Sequence, residues 1–352
     1  MKTLILAAGR FGDEMRAAIA AGREPRLDVF ELQRVLSADV LDYLDVDASL
    51  LKVAKRGGMA ATSAALAALG FKIHKRYDAV LTTGEDIGLP LAALLKTSSH
   101  PIAHTMIAHT LFPAKKRAFF DYLKVHDRID RVLAYSTSEE QHMIERLGIA
   151  RERVQRIYYQ ADQRFFCPDG RALEPDLLCA AGQLLRDYDC LIDAVRGLKV
   201  RVQIAAGSPW IDQTLRPQGE LPDNVSWGKL NRYDLRELYR RSALAVVPIK
   251  QNDYQTGIAT ILEMMAMGKC VIATRTRGQT DTIIDGETGI YVPPGDSTAL
   301  RNAIQSMIAD PGRAAAIGQA ARRFVEREAG LDVFVERIAQ AVKETHAARS
   351  RA

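Results

Sequence analysis

The stretch Asp253–Asp296, DYQTGIATILEMMAMGKCVIATRTRGQTDTIIDGETGIYVPPGD, decides the reading of this chain. It follows an apolar run, Leu244-Ala-Val-Val-Pro-Ile-Lys250, which has the length and composition of a buried strand. Gly257 then opens a helical pattern whose one acidic residue, Glu263, sits among Ile261, Leu262, Met264 and Met265. A second apolar strand follows at Cys270–Thr274. Strand, glycine turn, helix and strand make a βαβ unit. A helix N-terminus beside a glycine attracts anions, because its first N–H groups are free and the dipole presents its positive end. A carboxylate two turns inside that helix lies where a ribose could offer hydroxyls. The unit is therefore suited to a nucleotide diphosphate.

The rest of the chain supports an α/β reading. Its 352 residues exceed a usual single core. With 47% hydrophobic and 26% charged residues the composition is that of a globular protein. Strands are expected at Thr3–Ala8, Leu27–Glu31, Ala79–Thr83, Ile102–Ala108, Val132–Ser136 and Val154–Gln160. Helical patterns lie between them, notably Met59–Leu69, Leu89–Lys96 and Glu139–Leu147. Turn residues at Asp169–Pro175 read as a linker. The alternation then restarts at Leu177–Ala181 and continues through Arg201–Ala206, Val225–Gly228 and Leu244–Ile249. This predicts two Rossmann-like domains, 1–168 and 175–330, with ligands at the carboxyl ends of the strands. No apolar run approaches membrane-spanning length, and Met1–Gly9 reads as strand and turn, not a signal peptide. The four cysteines lack metal-ligand or paired spacing, which suits a reducing cytosol.

The donor unit resembles that of the family 4 retaining glycosyltransferases, which have the GT-B fold: two Rossmann-like domains facing across a cleft. The likeness rests on Glu263 with Met264-Met-Ala-Met-Gly268, on Val271-Ile-Ala-Thr274, and on Asp285-Gly-Glu-Thr-Gly289 with Val292-Pro-Pro-Gly-Asp296. It extends to Arg131–Ser136, Phe165–Pro168 and the 181–188 loop. It implies that the last helix, about 331–352, crosses back onto the first domain. Three positions depart from the family pattern. Gln255 replaces the first glutamate of the Glu-x7-Glu element. Gly257 comes one residue early, leaving Ile258 at the usual glycine position. Gln183 stands where the family has an arginine, and the neighbouring lysine is lost, so Arg186 is the cation available for a diphosphate.

The resemblance implies that Glu263 holds the ribose. The backbone of Gly257 and Ile258 would meet the diphosphate with Thr256 in the same turn, and Gln255 would contact the sugar. An amide both donates and accepts hydrogen bonds, whereas a glutamate only accepts, so sugar recognition at Gln255 differs from the commonest members. Arg186, whose planar fork suits phosphate, is the expected diphosphate cation, and Lys250 is a second candidate. His109 ends a first-domain strand and is the expected acceptor-side histidine, with His100 and His104 as rivals. Gly12, in the loop after the first strand, is expected near the leaving phosphate. Glu85 and Asp281 are weaker candidates on the acceptor and sugar sides. Each has a plainer reading: Arg186 as a solvated loop residue, the histidines as structural groups, the glycines as turns.

Lys115–Lys124 mixes cations and aromatics on one helix. It is either a solvated helix with Phe119 and Phe120 in the core or a peripheral membrane contact. The net charge of +5 permits an anionic partner, but no nucleic-acid motif accompanies it. The expectation is a cytosolic, metal-independent transferase taking a nucleotide diphosphate sugar to a sugar, lipid-linked or small-molecule acceptor. The alternatives are a non-catalytic donor-binding subunit and a nucleotide-sugar epimerase.

Overall fold

The computed structural model describes residues 1–46, 58–207 and 219–351. It divides into two compact units: Met1–Ala17 with Leu27–Ile157 and Phe334–Ala352, and Ala18–Arg26 with Tyr158–Val333. The first unit runs β1 (Thr3–Leu6), α1 (Asp13–Ala20), α2 (Asp28–Leu36), β2 (Asp39–Leu41), α3 (Gly58–Ile73), β3 (Ala79–Thr82), α4 (Glu85–Leu95), β4 (Ala103–Ala108), α5 (Ala114–Asp121), β5 (Arg131–Ala134), α6 (Thr137–Glu145) and β6 (Val154–Arg156). Its sheet is parallel, in the order β2-β1-β3-β4-β5-β6. Strands β1, β3 and β4 are buried at every residue, as a sheet covered by helices on both faces requires.

The second unit runs β7 (Glu174–Ala181), α7 (Tyr188–Val195), β8 (Arg201–Ala205), β9 (Val225–Gly228), α8 (Arg232–Arg241), β10 (Ser242–Val247), α9 (Ile258–Ala266), β11 (Cys270–Thr274), β12 (Ile290–Val292), α10 (Ser297–Ala309) and α11 (Pro311–Phe324). The sheet is again parallel, ordered β12-β11-β10-β7-β8-β9. The winding reverses between β7 and β10, which lie side by side. In doubly wound sheets that switch point opens the crevice in which ligands bind. The last helix, α12 (Leu331–Arg349), belongs to the first unit from Phe334 onward. There Arg349 pairs with Asp130 at 2.5 Å and Arg131 donates to Thr345 at 3.1 Å.

Several boundaries differ from the sequence reading. Leu27–Glu31 is not a strand but the start of α2. Its apolar residues Val29, Leu32 and Leu36 recur at helical spacing and are the buried ones. Residues 158–168 go with the second unit, not the first. Phe165 and Phe166 pack there with Leu177, Tyr239 and Met264 in one core. Strand β7 begins at Glu174, inside the expected linker. Pro175 is tolerated because the β7–β10 register is interrupted between Ser242 and Leu244. The short strands β2 and β12 have too few apolar residues to signal themselves.

In α5, Lys116 and Phe120 are buried while Tyr122, just beyond it, is 83% exposed. The helix is thus partly core: Phe120 is buried in the cluster with Leu89 and Met106, and Phe119 packs half-buried against it. No helix among the described residues is long and apolar enough to cross a membrane.

Candidate functional site

The second unit gathers three loops at the carboxyl ends of β7, β10 and β11. Arg186 organises the first two. It comes from the β7–α7 loop and is 5% exposed. Its Nε donates to the Ala181 carbonyl at 2.9 Å, Nη1 to the Leu184 carbonyl at 3.0 Å, and Nη2 to Thr260 Oγ1, in the first turn of α9, at 3.1 Å. The loop is stitched to the end of β10 by Asp187 N–H to the Pro248 carbonyl and Lys250 N–H to the Leu185 carbonyl, 3.0 and 2.9 Å. Two glycines make room for the guanidinium. A β-carbon on Gly182, φ +97°, would collide with it, and one on Gly257, φ +81°, would stand 3.3 Å from Nη1.

Among the described residues Arg186 makes no ion pair. Its protein partners are two carbonyls and a hydroxyl, and burial lowers the pKa of the cation. The guanidinium also lies against the start of α9, where Gly257 supplies no side-chain cap. First-turn N–H groups left open beside a buried cation without a carboxylate make a strong demand for an anion.

The sequence expectation for Arg186 as a solvated loop residue fails on this burial. Gln183 is 2% exposed and donates to the Ala206 carbonyl at 3.0 Å, so it ties β7 to the end of β8 instead of standing in for an arginine. Gln255 reaches Thr282 Oγ1 at 3.5 Å, and its Oε1 has no partner. Thr256 is buried and its hydroxyl meets Asn252 Nδ2 at 3.1 Å. Ile258 is the first residue of α9. Lys250 is exposed at the end of β10. Asp281, half-buried, accepts from the Thr280 hydroxyl at 3.3 Å in the loop after β11.

Glu263 is buried, as its apolar neighbours required, but its partners come from its own chain. Arg232 Nη1 donates to Oε1 at 2.8 Å and the Tyr239 hydroxyl to Oε2 at 3.3 Å. Both partners lie on α8. The Glu263 charge raises the Arg232 pKa. A carboxylate has about four acceptor positions, so two remain for further donors. A cavity of about 490 Å³ lies beside this pair, lined by Ala18, Arg23, Glu24, Asn231 and Tyr233. Burial raises the Glu24 carboxyl, and Arg232 pulls it back. Sequence reading missed Arg232, Tyr239 and Glu24, because nothing local links positions 31 and 24 residues before Glu263 to it.

The pair has a measurable weight. Removing one partner of a buried pair costs about 3–5 kcal/mol. Arg232 is a third exposed, which discounts the figure toward roughly 2 kcal/mol. Glu263→Ala is accordingly expected to lose about 2 kcal/mol in urea unfolding. Wild-type stability in Glu263→Ala would show the pair to be idle.

In the first unit, the histidines separate cleanly. His104 is fully buried between Thr82 Oγ1 and the Arg128 carbonyl, each at 3.1 Å, and burial drives its pKa down to about 4. His109, one residue past β4, is exposed; Nε2 meets the Thr83 carbonyl at 3.0 Å, and the ring stands 5.4 Å from that of Tyr135. Asp28, at the start of α2, interacts with His109 electrostatically. The misread of that segment as a strand hid it.

Glu85 is 3% exposed and does not present a free carboxylate. It accepts from His109 N–H at 2.8 Å, from Thr110 N–H at 3.3 Å and from Lys116. Burial pushes its carboxyl up, but His109 and Lys116 outweigh that and hold it below its usual range. Gly12 begins the turn into α1, its carbonyl accepting from Met15 N–H at 3.1 Å. Among the described residues no group of three His, Cys, Asp or Glu side chains could hold a metal ion.

Residues 175–310 match the family described as glycosyl transferases group 1. Gln183, Arg186, Lys250, Gln255, Thr256, Gly257, Ile258, Glu263 and Asp281 all lie within the matched residues. The chain is similar to a lipopolysaccharide core biosynthesis mannosyltransferase, LpcC, of Rhizobium leguminosarum bv. viciae. They are 36% identical over 114 residues, 32% of this chain and 28% of that protein. The chain spans 28, 57 and 16% of the first three curated relatives it matches. In structure it is similar to sucrose-phosphate synthase from Thermosynechococcus elongatus, with TM-score 0.73 and 18% identity over 99% of this chain and 100% of the other. It is also similar to Anabaena HepE in complex with UDP-glucose, with TM-score 0.69 and 17% identity over 97 and 99% of the two chains. These structural likenesses show the GT-B fold.

Proposed function

We propose that the chain transfers a sugar from a nucleoside diphosphate sugar to an acceptor hydroxyl in the assembly of a glycolipid or polysaccharide. The observation that carries this reading is Arg186: a buried cation, paired with no carboxylate among the described residues, set against the uncapped start of α9. The similar mannosyltransferase of lipopolysaccharide core biosynthesis and the UDP-glucose complex of HepE give the reading its substrate class.

The diphosphate would accept from the first-turn N–H groups of α9 and from the guanidinium. Both stabilise the charge that builds on a departing diphosphate without rearranging, and that is where a preorganised site lowers a barrier. The ribose would use the acceptor positions on Glu263 that Arg232 and Tyr239 leave open. Gln255, with one amide N–H still to place, would face the sugar. Transfer with retained configuration, the diphosphate itself taking the acceptor proton, asks of the protein mainly positioning. With a cation and a helix dipole to hold the phosphates, the reaction would need no divalent metal.

Thermal unfolding against UDP, GDP, ADP and dTDP identifies the base. A ligand at a hundred times its Kd adds roughly 2.7 kcal/mol to stability. The matching nucleotide sugar is then expected to be hydrolysed slowly without acceptor, in excess EDTA as well as without it. No stabilisation by any nucleotide would remove the donor site. Loss of hydrolysis in EDTA, restored by Mg2+ or Mn2+, would remove metal independence alone. Tight nucleotide binding with no turnover would favour a non-catalytic donor-binding subunit, the reading that the Gln183 and Gln255 replacements support.

A further inference from the structure

The chain leaving β4 is held from both sides. Strand β4 lies between β3 and β5, and the helices that follow those two strands each send a carboxylate to the loop beyond β4. Glu85, at the start of α4, takes the N–H groups of His109 and Thr110. Glu139, in the first turn of α6, takes the N–H of Leu111 at 3.1 Å. The spacing Ser136-Thr-Ser-Glu139 is that of a capping box. Only half of it operates as one: Ser136 Oγ accepts the Glu139 N–H, but the glutamate reaches across to Leu111.

The two carboxylates are unequal. Glu85 has Lys116 against it, and Lys116 also meets Asp86 at 3.3 Å and the Thr110 carbonyl at 3.2 Å. Glu139 is 2% exposed and makes no ion pair among the described residues.

We propose that Glu85 and Glu139 are positioning residues that fix the backbone carrying His109, with Glu139 as its releasable latch. Burial raises the Glu139 carboxyl to about 7, against the opposing pull of the Thr110 side chain and the Leu111 N–H; the Glu85 charge raises it further, and Lys116 lowers it. His142, one turn along α6, is lowered mainly by burial, against the opposing pull of its hydrogen bond to the Leu111 backbone, with Arg117 and Arg146 lowering it further.

The sign follows from linkage. A free glutamate titrates near 4.3, so the closed loop holds its proton over a window from about pH 4 to 7 where an open, hydrated loop has lost it. Raising pH through that window favours opening. Between pH 6 and 8 the opening constant rises about tenfold.

Hydrogen exchange of the Leu111 amide, corrected for the intrinsic rate, reads this without any substrate. In the wild type protection is expected to fall about tenfold from pH 6 to 8. Glu139→Gln, which imitates the protonated form in the same volume, is expected to stay protected throughout. It should also melt higher than the wild type at pH 8 but not at pH 4. A flat wild-type profile, or an equal slope in Glu139→Gln, would overturn the latch. The consequence for turnover rests on the transferase reading: kcat declines as pH rises toward about 7 in the wild type and levels above it, changes less in Glu139→Gln, and nucleotide affinity is the same in both. Failure of that reading would leave the exchange result standing, so the two are distinguishable.

Discussion

Arg186→Ala is expected to weaken nucleoside diphosphate binding by about 10²-fold or more, with the affinity for the bare nucleoside close to unchanged. The magnitude comes from two charge-assisted hydrogen bonds at roughly 1.5–3 kcal/mol each. The selectivity comes from placement: the guanidinium donates to Thr260 in the first turn of α9, where phosphate would sit, whereas the Glu263 carboxylate is bonded by Arg232 and Tyr239 and reaches Arg186 only through its charge. The substitution also removes the donors to Ala181, Leu184 and Thr260, so some loss of stability accompanies it. The nucleoside serves as the internal control for that loss, because a collapsed loop would weaken both ligands alike. Arg186→Lys is expected to recover only part of the affinity, since an ammonium cannot reproduce the planar fork. Equal losses for diphosphate and nucleoside in titration calorimetry would show that Arg186 is a loop staple alone.

His109→Ala is expected to lower turnover by about 10²–10⁴-fold, the range for a group that assists proton movement, and to leave nucleotide affinity unchanged. Arg186, Gln255 and Glu263, on which the proposed donor site rests, lie in the second unit, whereas His109 lies in the first. A group that acts mainly in the transition state lowers kcat without a matching change in ground-state binding. His104 is the contrast. It is buried between β3 and the Arg128 carbonyl with its pKa driven down to about 4, so it stays neutral at working pH. His104→Ala would cost stability and reach turnover only through it. Turnover retained in His109→Ala, in a protein that melts like the wild type, would end the assignment.

The latch gives His109 a second handle. The histidine backbone is fixed by Glu85 and its loop by Glu139, so a change at either carboxylate moves the imidazole without touching it. The two routes separate in experiment. Removing the ring changes turnover at every pH, whereas Glu139→Gln changes the shape of the pH profile.

The alternating strands and helices and the βαβ unit around Glu263 were legible in the residues alone. Strand, glycine turn, helix and strand around Glu263 follow from hydrophobic period and from a glycine at 257, the residue that takes a left-handed turn most readily. These signals are local, and β11 and α9 appear where the chain announces them. The failures were also local in cause. Leu27–Glu31 was too short a window to tell a strand from the first turn of α2, and the error hid Asp28 beside His109.

Only the tertiary structure decided who partners whom. Glu263 had to have a partner, but that it is Arg232 and Tyr239 depends on how α8 packs against α9. Arg186 had to be a loop cation, but its burial depends on a bridge to Ile249 across two parallel strands. Glu139 carried the spacing of a helix cap, yet the sheet order that sets β4 between β3 and β5 turned it toward Leu111. Periodicity fixes which face of an element is buried. Which distant polar group meets it there is set by the order of strands in the sheet, and that order is a property of the packed chain.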